Sequence, residues 1–261
     1  MRLLRSHSDF RALLDTRVGM QTTLDLLDKY DARATFFALG QSVELAPELL
    51  REIPNQHEIA SHGFEHKSIN VQSSLELRRD IERSVGTLNR HFQRKIIGYR
   101  SPYASLERRS RHLLWILRDL KFTYDSSILP FQLPQNGMKK PPVRPYRISL
   151  TDPLVEDLAS PIVEFPLSCA ETLGIRVPTC GGFFLRLLGY SAAAKTITHL
   201  NKSGFPAIVY LHPWELSSKP KIQGVRNLTA FRIPCTGILR KLLTRFNFTS
   251  IEDFLQRSVS S

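Results

Sequence analysis

With 261 residues, 42% of them hydrophobic and 23% charged, the chain is long enough to bury one large core. No apolar run approaches the ~20 residues that span a bilayer, and the first residues lack the apolar stretch of a signal peptide, so the sequence as given reads as cytoplasmic. Lysine and arginine outnumber aspartate and glutamate, 36 to 24. The basic residues are dispersed apart from short clusters at Arg108-Arg109 and Lys139-Lys140, and no nucleic-acid-binding motif accompanies them, so a solvated basic surface is expected. Cys169, Cys180 and Cys235 are far apart and odd in number, which argues against a disulfide framework and for buried free thiols.

Helix and strand patterns alternate along the chain. Thr22 or Thr23 is expected to cap a short amphipathic helix carrying Leu24, Leu27 and Tyr30. The apolar run Ala34 to Leu39, stopped by Gly40, reads as a buried strand. Pro47 opens a short helix, and a second strand runs from His57 to Ser61. Ser73 with Glu76 forms a capping box for a long helix through Ile81, Val85, Leu88 and Phe92. Strand-like Ile96 to Tyr99 leads into Arg100, and a helix from Arg109 to Leu120 precedes Phe122-Thr123-Tyr124 and Asp125. Residues 130–160 are Pro-rich and aperiodic, an insertion expected to have little structure of its own within a single domain. Strand-like Ile162 to Phe165, a helix from Phe184 to Asn201, a strand from Ala207 to Leu211 and a terminal helix capped at Thr249 or Ser250 complete the pattern.

Repeated strand-then-helix units imply parallel strands joined by crossovers, hence an α/β barrel or a doubly wound sheet. In either architecture ligands sit beyond the C-terminal ends of the strands. His62, His66, Arg100, Asp125 and His212 each follow a strand-like run, so one shared cleft is expected. Ser61-His62-Gly63-Phe64-Glu65-His66 places two imidazoles four residues apart, with Gly63 free to turn the backbone sharply. Neutral imidazoles suit zinc and similar ions. Taken singly, each of these residues also has an ordinary structural reading: a core histidine, an ion-paired arginine, a capping aspartate. Their joint placement favours the cleft.

These motifs, in this order, resemble the polysaccharide deacetylase family, named for the NodB homology domain. They are Ala34-Thr35-Phe36-Phe37, Glu58 to Gly63 with His66, Gly98-Tyr99-Arg100-Ser101-Pro102, Tyr124-Asp125-Ser126-Ser127 and Tyr210-Leu211-His212-Pro213-Trp214-Glu215. With Glu164-Phe165-Pro166 and Gly181-Gly182-Phe183-Phe184, the chain is most similar to a subgroup associated with bacterial exopolysaccharide clusters. The resemblance implies a distorted (β/α) barrel of about seven strands that hydrolyses N-acetyl groups on a sugar polymer. His62 and His66 would then be ligands to a divalent metal, in the first instance zinc, and His212 the general acid. Arg100 would fix a carboxylate, Asp125 would orient a histidine, and Tyr103 and Trp214 would line the sugar cleft.

The same family opens with a strand ending in two aspartates, a metal ligand and a base. Here Met1 falls after that position, and neither Asp9 nor Asp15 follows an apolar run. The expectation is therefore a barrel without its first strand, no third protein ligand, little hydrolysis by these residues alone, and an upstream segment restoring both. The alternative is a non-catalytic carbohydrate-binding or scaffold protein that kept the barrel. Tight zinc binding dependent on His62 and His66 would separate the two.

Overall fold

The computed structural model describes residues 7–131, 140–217 and 234–260. In chain order the elements are α1 (His7–Lys29), β1 (Thr35–Ala38), α2 (Gly40–Leu45), α3 (Pro47–Arg51), β2 (Glu58–Ser61), α4 (Ser74–Phe92), β3 (Gly98–Tyr99), α5 (His112–Asp119), β4 (Tyr124–Asp125), β5 (Tyr146–Arg147), β6 (Val163–Glu164), β7 (Cys169–Thr172), β8 (Ile175–Pro178), α6 (Gly182–Lys202), α7 (Thr236–Arg245) and α8 (Ile251–Ser260). The main sheet has six strands in the order β1-β2-β3-β4-β6-β5. Its first four pairings are parallel and only β5 runs antiparallel. This is the curved, parallel sheet of a distorted (β/α) barrel. Its crossover helices bury leucine and isoleucine, notably Leu77, Ile81 and Leu88 of α4 and Leu113, Leu114 and Leu117 of α5.

The α4 capping box forms as expected: the Glu76 backbone N–H donates to Ser73 Oγ at 3.3 Å and the Ser73 N–H to Glu76 Oε2 at 2.8 Å. Three other expectations need correction. The helix before β1 is longer than the short one expected, and Thr22 and Thr23 lie inside it. Their hydroxyls donate back to the carbonyls of Val18 (2.8 Å) and Gly19 (2.7 Å), a use of threonine that competes with capping. Around 130–160 the chain is not without structure, because Tyr146–Arg147 adds a strand to the sheet. Residues 207–211 join no ladder; Tyr210 makes one isolated parallel bridge to Gly181, and the Ile208 N–H goes to Ser168 Oγ at 2.8 Å.

The far end of the barrel is closed by α8. Its first residue donates from the Ile251 N–H to Thr35 Oγ1 (2.9 Å), and Thr35 donates in turn to the buried Glu58 carboxylate (2.5 Å). Tyr124 Oη and the Glu252 N–H donate to the same carboxylate at 2.7 and 3.0 Å, so one buried glutamate joins β1, β2, β4 and α8. The three cysteines are buried and free. No helix among the described residues is long and apolar enough to cross a membrane.

Candidate functional site

The C-terminal ends of β2, β3 and β4 bring the expected residues to one rim. Ser61 closes β2, and the loop after it turns at Gly63 (φ 78°) and His66 (φ 55°). A side chain at Gly63 would stand 2.8 Å from Asp80 Oδ2. The loop is pinned from α4, where the Asp80 carboxylate accepts the N–H groups of Phe64 (2.8 Å) and Glu65 (3.3 Å). Asp80 had no signal in the sequence, because an acid on a helix usually faces water. Asp80→Ala is expected to cost about 1–3 kcal/mol, the loss of a charged acceptor for the part-buried Phe64 N–H and the exposed Glu65 N–H, and to speed amide exchange at Phe64; urea denaturation and hydrogen exchange measure both.

The His62 and His66 rings lie 5.1 Å apart, centroid to centroid. His62 Nδ1 lies 2.7 Å from the Arg100 carbonyl oxygen. A carbonyl only accepts, so Nδ1 carries the proton and Nε2 keeps its lone pair, the arrangement a metal-binding imidazole needs. Burial pushes the His62 pKa down to about 3, with Arg100 and the nearby imidazoles adding to the effect. His66 is lowered by burial and then by His212. Both rings are therefore neutral near pH 7, as ligands must be. Tyr103, 70% exposed and at φ 63°, packs edge-on to His66 at 4.8 Å. Two non-glycine residues at positive φ in ring contact mark this rim as backbone held out of its easy conformations.

Arg100 does not reach a carboxylate among the described residues. Its Nε donates to the Ser126 carbonyl (3.0 Å) and its Nη2 to Ser126 Oγ (2.7 Å), while its guanidinium lies 4.0 Å from the Phe37 ring centroid. Burial lowers its pKa to about 10, so it stays charged at neutral pH.

Asp125 is fully buried and meets no histidine, which corrects the role expected for it. Ser127 Oγ donates to its Oδ1 at 2.5 Å. Its other oxygen and Glu164 Oε2 have no hydrogen-bond partner, and the two carboxyl groups lie in register on the adjacent strands β4 and β6, where a proton on one of them would serve both. Burial pushes Asp125 up to about 6, and burial followed by the Asp125 charge pushes Glu164 well above the usual carboxylate range. The partner of the third histidine is instead Glu215, whose Oε2 lies 3.1 Å from His212 Nδ1. Trp214 stacks on the His212 ring at 5.4 Å and 15°.

Among the described residues no group of three or more His, Cys, Asp and Glu side chains forms a metal site. Asp9 and Asp15 fall in α1 with side chains outside the described residues. The donor chemistry still fits a divalent ion at His62 and His66, both neutral and one with its tautomer fixed. In the basic cluster, Arg108 and Arg109 are paired with Asp152 and Glu107, each at 2.8 Å.

Comparison with known proteins bears on the fold and the family. The polysaccharide deacetylase family matches residues 16–124, and the domain of unknown function DUF3473 matches residues 126–256. The peptidoglycan-N-acetylglucosamine deacetylase of Bacillus cereus is 32% identical over 89 residues, 32% of this chain and 30% of that protein. The peptidoglycan-N-acetylglucosamine deacetylase PgdA of Listeria monocytogenes is 39% identical over 59 residues, 22% of this chain and 13% of that protein. The chain thus spans less than a third of either relative's length. The crystal structure of a Mycobacterium smegmatis protein assigned as a polysaccharide deacetylase superposes with a TM-score of 0.69 at 19% identity, covering 97% of this chain and 81% of that one; at that identity the likeness establishes the fold. Residues 16–124 thus belong to the polysaccharide deacetylase family, whose barrel the chain shares, and residues 126–256 belong to the DUF3473 family.

Proposed function

We propose that this protein hydrolyses N-acetyl groups on a sugar polymer with the help of a divalent ion, zinc in the first instance, held by His62 and His66. The observation that carries the reading is the pair of neutral imidazoles 5.1 Å apart, with the Nδ1 proton of His62 committed to the Arg100 carbonyl. The peptidoglycan deacetylase relatives support an N-acetylated glycan as substrate, and the DUF3473 half supports the exopolysaccharide subgroup.

An ion held there supplies Lewis acidity, activating water and polarising the acetyl carbonyl. The rest falls to side chains of this chain. In the overall reaction the amide C–N bond breaks, water's oxygen ends in acetate and the amine leaves with an added proton. His212 delivers that proton, a role suited to an imidazole. Tyr103, largely exposed on the rim, offers its ring to a pyranose, and Trp214 backs the His212 ring at the edge of the same cleft. Arg100, tied to Ser126, fixes the carbonyl that sets the His62 tautomer.

Catalytic zinc usually takes three protein ligands and a water. With two imidazoles from the described residues, binding is expected to be weak and acetate release slow. Isothermal titration of the purified chain with zinc tests the reading, alongside acetate release from N-acetylglucosamine oligomers. Zinc affinity is expected to fall at least tenfold in His62→Ala and in His66→Ala, and any acetate release to vanish with chelator and with His212→Ala. Zinc binding indifferent to both histidines contradicts the proposal. Zinc bound through them with no acetate released under any condition favours the binding or scaffold role.

A further inference from the structure

The Gly181-Gly182 doublet and Glu215 have no part in the reaction as described, yet the structure joins them. We propose that Glu215, clamped by Arg186 of α6, is a positioning residue that locks His212 in the tautomer bearing its proton on Nδ1. The inference rests on the reading of His212 as the general acid and says how that acid is aimed.

Glu215 lies in the 3-10 turn Pro213–Leu216 directly after His212. Its Oε2 accepts the His212 backbone N–H at 2.9 Å and faces the ring Nδ1 at 3.1 Å. Its Oε1 accepts from Arg186 Nη2, and both side chains are almost wholly buried. A carboxylate paired with a guanidinium only accepts, so the ring nitrogen facing it must carry hydrogen. The Nδ1 proton is thereby committed, and Nε2 is bare in the neutral ring and protonated only in the imidazolium. It is the nitrogen left to serve a substrate. Trp214, stacked on the ring, limits its rotation.

The glycines are the cost of this arrangement. A Cβ on Gly182 would stand 2.0 Å from Glu215 Oε2, and a Cβ on Gly181 would stand 2.2 Å from the Tyr210 ring. The first turn of α6 therefore approaches the His212 segment closely only because both side chains are missing. Such a buried ion pair is poor evidence for stability, since well-packed apolar residues often replace one at no loss. Its contact with an imidazole on the site rim gives it a different use.

The test is side-chain nitrogen-15 NMR of the histidines in the whole chain at about pH 9, where imidazole is neutral. The expected spectrum gives His212 a protonated Nδ1 and an unprotonated Nε2. Glu215→Ala is expected to lose that pattern and give shifts averaged between tautomers. Gly182→Ala keeps every charged group but displaces the carboxylate, and is expected to do the same. A wild-type His212 with its proton on Nε2 overturns the proposal without any variant, as does an unchanged pattern in either variant that retains native circular dichroism. The readout is an imidazole proton and not acetate, so it stands apart from whether the chain hydrolyses amides.

Discussion

Gly19→Ala is expected to destabilise the protein by about 3 kcal/mol and to displace His212, although alanine is the better helix former. Gly19 lies within α1, where replacing glycine by alanine gains about 1 kcal/mol in propensity. The added Cβ, however, would stand 1.6 Å from the Pro213 carbonyl oxygen and 2.3 Å from its carbon. Both atoms are backbone, and neither has a rotamer to escape into. Overpacking of rigid atoms typically costs 1–3 kcal/mol and sometimes more, so here the clash outweighs the propensity. Pro213 follows His212, so relief by movement shifts the imidazole. Gly86→Ala on α4 is the control, because its Cβ would meet only the mobile end of Arg90 at 3.4 Å. It is expected to stabilise by about 0.5–1 kcal/mol. Urea denaturation of both variants measures the contrast, and equal effects contradict the packing described.

The second large effect is a dependence of stability on pH that runs against the usual carboxylate. Asp125 and Glu164 lie side by side in register and fully buried inside the sheet, and burial raises both carboxyls above the ordinary range. Between about pH 4.5 and pH 7 the unfolded chain releases protons that the folded pair retains, so the folded state binds more. The pair's contribution is therefore fully present below the unfolded pKa values and is lost as pH rises through the folded ones. One retained proton changes stability by about 1.4 kcal/mol per pH unit, or roughly 3 kcal/mol over that window. Glu164→Gln mimics the protonated acid, because its amide group donates to Asp125 while its oxygen still accepts the Ile128 N–H, found at 2.9 Å in the parent. Near pH 4.5 the variant is expected to match the parent, and near pH 7 to exceed it by up to about 3 kcal/mol. A variant less stable than the parent at pH 7 contradicts a shared proton.

What the sequence made legible was what local pattern controls. The apolar runs before Gly40 and before His62 became β1 and β2, paired in parallel from Thr35↔Glu58 to Ala38↔Ser61. His62, Arg100 and Asp125 sit at or beyond strand ends as expected, and His62 and His66 come together because a glycine turn separates them by a few residues. The run at Ala207 to Leu211 looks equally strand-like, yet its pairing depends on distant partners, and its N–H groups go to Ser168 and Cys180 instead. The family resemblance implies a histidine partner for Asp125, and its position after a strand implies only a place in the cleft. Its companion Glu164 arrives from the neighbouring strand, and no short-range spacing announces that contact. Glu215 escaped notice because Arg186, which buries it, lies 29 residues upstream. The one local hint was the glycine pair before two phenylalanines, whose meaning shows only when the Tyr210 and Glu215 side chains fill the space.

The most direct examination of the two-imidazole ion site is X-ray absorption at the zinc edge of the zinc-loaded chain. A site built on His62 and His66 gives two imidazole scatterers with nitrogens at about 2.0–2.1 Å, reduced to one in His62→Ala and in His66→Ala alike. Zinc with one imidazole or none in the parent, or a parent spectrum reproduced by both variants, contradicts the convergence of these two rings on a single ion.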